Sequence, residues 1–69
     1  MRCVKITTDY ITLGQFLKFI GLINNGGEAK IAVKILKISI NDCPEDRRGC
    51  KIYPGDKVKV DKNCYFVEN

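Results

Sequence analysis

Residues Ile11 to Lys37 read ITLGQFLKFIGLINNGGEAKIAVKILK, and each half of this stretch carries the marks of a helix start. Thr12 offers a hydroxyl at an N-cap and Gln15 follows three residues later, the pattern in which side chain and backbone cap each other. Ile11, just before the cap, is placed to staple onto Phe16. Leu13, Phe16, Leu17 and Ile20 recur at i, i+3, i+4 and i+7, which gathers them on one face, and Gly21 frays or ends the run. After the turn-forming Asn24-Asn25-Gly26-Gly27, Asn25 is the second N-cap and Glu28 stands at the third helical position. Gly26 and Gly27 therefore open the second helix, at a cost in helix propensity. At about 100° per residue, Lys30, Lys34 and Lys37 fall on one narrow stripe, while Ala29, Ile31, Ala32, Val33, Ile35 and Leu36 fill the rest of the circumference. The expectation is a mostly buried helix with one exposed lysine ridge.

Outward from this pair the period changes. Residues 2–8 alternate loosely around Val4 and Ile6 and suit a short strand or an extended arm. Ile38-Ser39-Ile40-Asn41 alternates with period two, and Asn41-Asp42 with Pro44 marks a turn. Glu45-Asp46-Arg47-Arg48-Gly49 is a charged loop tip. Pro54-Gly55 fits the two central positions of a type II turn, with Gly at positive φ. Lys57 to Asp61 alternates again, and a turn near Asp61-Lys62-Asn63 returns the chain as a last strand over Cys64 to Val67. The order is a strand, two helices and a small strand meander, with no internal repeat or linker, so residues 1–69 read as one α+β domain.

Composition narrows the chemistry. The 45% hydrophobic and 29% charged residues, mixed in sign along the chain, suit a folded domain and argue against disorder. The net charge of +4 favours a polyanionic partner over a cationic one. The chain holds no His, which removes the usual general base near neutral pH, the Ser-His and Cys-His nucleophile pairs and the commonest metal ligand. The carboxylates stand at turns and termini, so no acid–base pair is legible and no catalytic residue is assigned. Cys3, Cys43, Cys50 and Cys64 lack any C-x-x-C spacing, which disfavours zinc, and nothing resembling a secretory signal supports disulfides. They read as reduced, small, buried or half-buried side chains. No cofactor, metal, membrane span or small-molecule substrate is expected, and the expected setting is cytosolic, with a monomeric protein.

The excess charge sits in one half. Residues 1–39 carry Arg2, Lys5, Lys18, Lys30, Lys34 and Lys37 against only Asp9 and Glu28, whereas the later half is balanced. A helix opening on Asn25-Gly26-Gly27 presents free backbone N–H groups and the positive end of the helix dipole to an anion, with no Cβ in the way of a phosphate. Lys30 lies within a turn of that opening, and Lys34 and Lys37 extend the contact along a nucleic-acid backbone. Arg47, Arg48 and Lys51 concentrate three further cations on one loop, where Arg can fork onto phosphate oxygens or stack on a base. Each feature alone also fits a solvated helix face or a soluble turn. The aromatic residues Tyr10, Phe16, Phe19, Tyr53, Tyr65 and Phe66 read as core or half-core, with Tyr53, beside the basic loop, kept as a possible base contact.

Taken together, I-T-L-G-Q-F-L-K from Ile11, G-G-x-A-K from Gly26, a strand ending in Asn41, R-R-G-x-K from Arg47 and G-D-x-V from Gly55 resemble the S-four-type RNA-binding domain, the αL motif of small-subunit ribosomal protein S-four. Within that family the chain looks most like the small stand-alone YaaA-like proteins. The resemblance covers about residues 10–60. It implies two antiparallel helices packed on a small antiparallel β-sheet, and RNA binding through Asn25, Gly26, Gly27 and Lys30 and through Arg47, Arg48 and Lys51. Ribosomal RNA or a ribosomal subunit is the partner it suggests. The wider family opens its second helix with Ser-Arg, where this chain has Gly27-Glu28. The competing expectation is a small adaptor that binds a protein through the basic loop and the sheet edge.

Overall fold

The first cap forms as its residues dictate: Thr12 Oγ1 accepts the Gln15 N–H at 3.2 Å and Gln15 Oε1 accepts the Thr12 N–H at 2.9 Å. In the computed structural model, which describes residues 1–69, helix α1 (Leu13–Phe19) starts there. It stops in a Schellman motif: Gly21 takes φ +84°, its N–H donates to the Lys18 carbonyl, and the Leu22 N–H donates to the Leu17 carbonyl.

Helix α2 (Gly26–Ile35) is capped by Asn25, whose Oδ1 accepts the Glu28 N–H at 3.1 Å. The Glu28 carboxylate reaches past the cap and accepts the Asn24 N–H at 3.0 Å. Two expectations for this helix need correction. It ends before Lys37, because Asp61 holds that residue on both sides: the Lys37 N–H donates to Asp61 Oδ1 at 3.0 Å and the Lys37 carbonyl accepts the Asp61 N–H at 2.7 Å. The ridge of three lysines is thus reduced to Lys30 and Lys34. The helix is also far from mostly buried, for only Ala29 and Val33 are sealed, while Ile31 and Ile35 are 62% and 74% exposed.

The strands are β1 (Arg2–Lys5), β2 (Ile11–Thr12), β3 (Ile38–Ile40), β4 (Cys43–Pro44), β5 (Lys51–Ile52), β6 (Lys57–Val60) and β7 (Asn63–Glu68). Five form one sheet in the order β1-β7-β6-β3-β4, and β2 pairs with β5 in a separate ribbon. The larger sheet is mixed, a correction to the antiparallel expectation: β1 runs parallel to β7, Val4 opposite Val67, so the two ends of the chain share one ladder. Both valines point inward and are buried, which fixes that register. Asn41 and Asp42, at φ 52° and 70°, make the two-residue link between β3 and β4 that such side chains tolerate. The Tyr53–Asp56 turn closes with the Asp56 N–H on the Tyr53 carbonyl and Gly55 at φ +96°.

One apolar cluster unites both helices and the sheet, with Leu13, Phe16 and Leu17 fully buried, as their spacing requires, against Ile52, Val58, Val60 and Val67. Phe16 meets Tyr65 edge-on, the centroids 5.4 Å apart. Other aromatics depart from the core reading, since Phe19, Tyr10 and Tyr53 are exposed. Two cysteines depart too, Cys3 and Cys43 being exposed, whereas Cys50 and Cys64 are half-buried as read; all four are free thiols. No helix is long and apolar enough to cross a membrane.

Candidate nucleic-acid interface

Gly14 is the joint on which the surface is built. A Cβ there would stand 3.3 Å from the Ala29 Cβ, tighter than an ordinary contact, and 3.5 Å from the Arg48 carbonyl, so the bare backbone eases the close approach of α1, α2 and the basic loop. The Gly14 N–H donates to the Arg48 carbonyl at 2.9 Å, and the Leu13 N–H to the Cys50 carbonyl at 2.8 Å. These bonds carry the loop to the start of α2, where Arg48 Nη1 donates to the Gly26 carbonyl at 3.4 Å.

At that start, Gly26 and Gly27 occupy the first two helical positions, where no carbonyl of the helix itself is available to their N–H groups. Neither has positive φ, and a Cβ on Gly26 would meet nothing within 4 Å. Packing therefore does not require glycine at Gly26, and the exposed backbone there is open to close approach. Lys30 follows one turn on.

The cations of the site divide by what already holds them. Arg47 forks onto Glu45, with Nε to Oε2 at 2.9 Å and Nη2 to Oε1 at 3.3 Å. Glu45 Oε2 also accepts the N–H groups of Asp46 and Arg47. The Arg47 guanidinium, ahead of these other contacts, holds the Glu45 carboxyl down at about 2, and Glu45 in turn raises Arg47. The Cys50 thiol is pushed up, first by burial and then by the same carboxylate. Lys34 lies 3.3 Å from Asp46 on the surface. Arg48 and Lys30, by contrast, have no carboxylate partner.

The structure thus brings Asn25, Gly26, Gly27, Lys30 and Arg48 together at one end of α2. Arg47 and Lys34 border this surface with their charges already paired. Lys51 continues it along the β2–β5 ribbon, its Nζ 5.0 Å from the centre of the Tyr10 ring. Lys37 stands apart, beyond the far end of a helix about 15 Å long. Glu28 adds a negative charge at the helix start, folded back on Asn24 and Asn25. Sequence reasoning took Gly14 only as part of the I-T-L-G-Q-F-L-K motif and Tyr10 as core or half-core, and gave neither a place in the site. Gly14 gave no signal along the chain, because the atoms it makes room for come from Ala29 and Arg48; Tyr10 gave a weak one, standing just before the strand Ile11-Thr12.

A family model described as the S4 domain matches residues 4–68. The chain is also 45% identical over 58 residues to the probable ribosome maturation protein RlbA of Bacillus subtilis (strain 168), a match that covers 84% of this chain and 82% of that protein. No solved structure matches.

Proposed function

The chain belongs to the S4 domain family, and from that premise we propose that it is a non-catalytic, single-domain cytoplasmic protein that binds structured ribosomal RNA or a ribosomal subunit. The helices, packed on the sheet, present the start of α2 and the basic loop to the RNA. Phosphate oxygens sit against the Gly26 and Gly27 N–H groups and between Lys30 and Arg48, so affinity comes from backbone and shape contacts and not from a base code. Asn25 sets the helix start, Arg47 stiffens the loop through Glu45, and Lys34 and Lys51 border the contact. Lys37 contributes at most to the long-range field. The maturation role named for the relative supports a setting in ribosome assembly.

One observation carries the reading: Lys30 and Arg48, neither of them paired with a carboxylate, flank the one helix start left open by glycine. Lys30→Glu with Arg48→Glu is expected to weaken binding to ribosomal RNA at least tenfold in a gel-shift titration. The slope of log K against log salt falls by about 2, about one for each phosphate that the variant no longer neutralises. An unchanged affinity and slope, together with salt-tolerant, nuclease-resistant capture of a protein on the same surface, would give the site to a protein partner instead.

A further inference from the structure

Tyr10 and Tyr53 are placed at the end of the β2–β5 ribbon, 40% and 48% exposed. Their ring centroids are 5.6 Å apart and the planes are tilted by 47°, so the rings splay and do not cover each other. Lys51 stands over Tyr10 at 5.0 Å. An aromatic pair left open to solvent beside a cation is poorly explained by core packing, because its faces bury little of the area that makes an aromatic residue worth placing in a core.

The backbone beneath the pair is firmly held. The Tyr53 N–H donates to Asp56 Oδ2 at 2.8 Å, and the Tyr53 carbonyl accepts the Asp56 N–H at 3.0 Å. The same turn is tied to β7 by the Gly55 N–H on the Val67 carbonyl and the Val67 N–H on the Asp56 carbonyl. Asp56 Oδ1 accepts the side-chain amide of Asn41. On the other side, Thr8 Oγ1 donates to the Tyr10 carbonyl at 2.8 Å. A backbone fixed in this way leaves only the ring torsions to be ordered when a flat ligand settles on the pair.

The ribbon also sets what the pair is near. Ile11 faces Ile52 and Thr12 faces Lys51, and the pairing then runs on through Leu13 and Gly14 to Cys50 and Arg48. The tyrosines therefore stand at the end of the same two strands that lead to Arg48, whose guanidinium reaches the Gly26 carbonyl at the start of α2, with Lys51 between them and Arg48.

We propose that Tyr10 and Tyr53, with Lys51 beside them, form a stacking site for one unpaired nucleobase, so that the protein prefers an RNA helix interrupted by a bulge or loop. This rests on the RNA-binding reading above. The phosphate grip at Gly26, Lys30 and Arg48 is indifferent to sequence, whereas the aromatic pair selects a base free to leave its helix. Lys51 lies where it meets the phosphate of the extruded nucleotide.

The test uses two hairpin RNAs, one with a single 2-aminopurine bulged from its stem and the other fully paired. The natural protein is expected to bind the bulged hairpin about tenfold more tightly and to quench its fluorescence. Tyr10→Leu with Tyr53→Leu should lose both the preference and the quenching while still binding the paired hairpin, with a thermal melt to confirm folding. Tyr10→Phe with Tyr53→Phe, which keeps both rings, should retain both. Equal affinity of the natural protein for the two hairpins, or a preference that survives the leucine changes, would overturn the stacking site and leave the phosphate grip intact. Failure of the natural protein to bind either hairpin would overturn the stacking site and the RNA-binding reading together.

Discussion

Gly26 shows at the scale of one residue how stability and function pull apart. It occupies the first turn of α2 with ordinary φ and with nothing within 4 Å of where a Cβ would stand. Alanine fits there without strain and restricts the unfolded chain, so Gly26→Ala is expected to stabilise the fold by about 0.5 kcal/mol in a denaturant titration. The added methyl occupies the space over the exposed backbone, so the same variant should bind ribosomal RNA several-fold more weakly. Stabilisation with unchanged affinity would mean that no phosphate approaches that backbone. Gly27 offers a less clean comparison, since a Cβ there would lie 3.2 Å from the Asn25 Oδ1 that caps the helix. Both glycines and the asparagine were legible as a helix start, because capping is a local matter that three or four consecutive residues decide. The division of the arginines was not. Whether Arg47 or Arg48 is left without a carboxylate partner depends on Glu45 taking one of them, and consecutive arginines carry nothing that says which.

Among the elements, α1 and the turns followed from sequence for the same reason: Thr12 with Gln15, Pro54 with Gly55 and Asn41 with Asp42 each specify a backbone shape over a few residues. Helix α2 shows where such reading ends. Ala29 with Val33 and Ile31 with Ile35 are both apolar pairs spaced by four, turned about 200° from each other, so periodicity alone fits either face inward. Gly14 settles it in space, since its close approach accepts Ala29, whose Cβ is the nearest neighbour of the position. The lysine ridge failed at its end for a comparable reason, a bond from Asp61 twenty-four residues away. The loop from Glu45 to Cys50 carries its own pH dependence. The Glu45 carboxyl sits at about 2 in the folded loop against an ordinary 4.5, so the unfolded chain takes up its proton first as pH falls. The ion pair's contribution is therefore complete above about pH 4.5 and is lost as pH drops through 2. Glu45→Gln should flatten the acid side of the stability curve across that window, and the carboxyl carbon of Glu45 should titrate near its lower end by NMR. A midpoint at the ordinary value would show that the fork with Arg47 does not persist in solution.

For the whole molecule, the parallel pairing of β1 with β7 joins residues from opposite ends of the chain, and the β2–β5 ribbon joins segments forty residues apart. No local pattern announces such pairings, and the antiparallel sheet implied by the resemblance was incomplete at this edge. The candidate surface inherits the same property: its helix start was visible in sequence, while its convergence with Arg48 and its continuation to Tyr10 and Tyr53 depend on long-range strand pairing. The fold thus places Tyr10 and Tyr53 at the end of the ribbon that leads to Arg48 and brings Arg48 to the glycine start of α2, where it and Lys30 are free of carboxylate partners. The most direct test of that arrangement is to crosslink the protein to RNA in extract of its native cell and sequence what is recovered, beside the Lys30→Glu, Arg48→Glu variant. Enrichment of one region of ribosomal RNA with the natural protein, absent with the variant, is the predicted result. Recovery of the same RNA in the same amount by both proteins would contradict it.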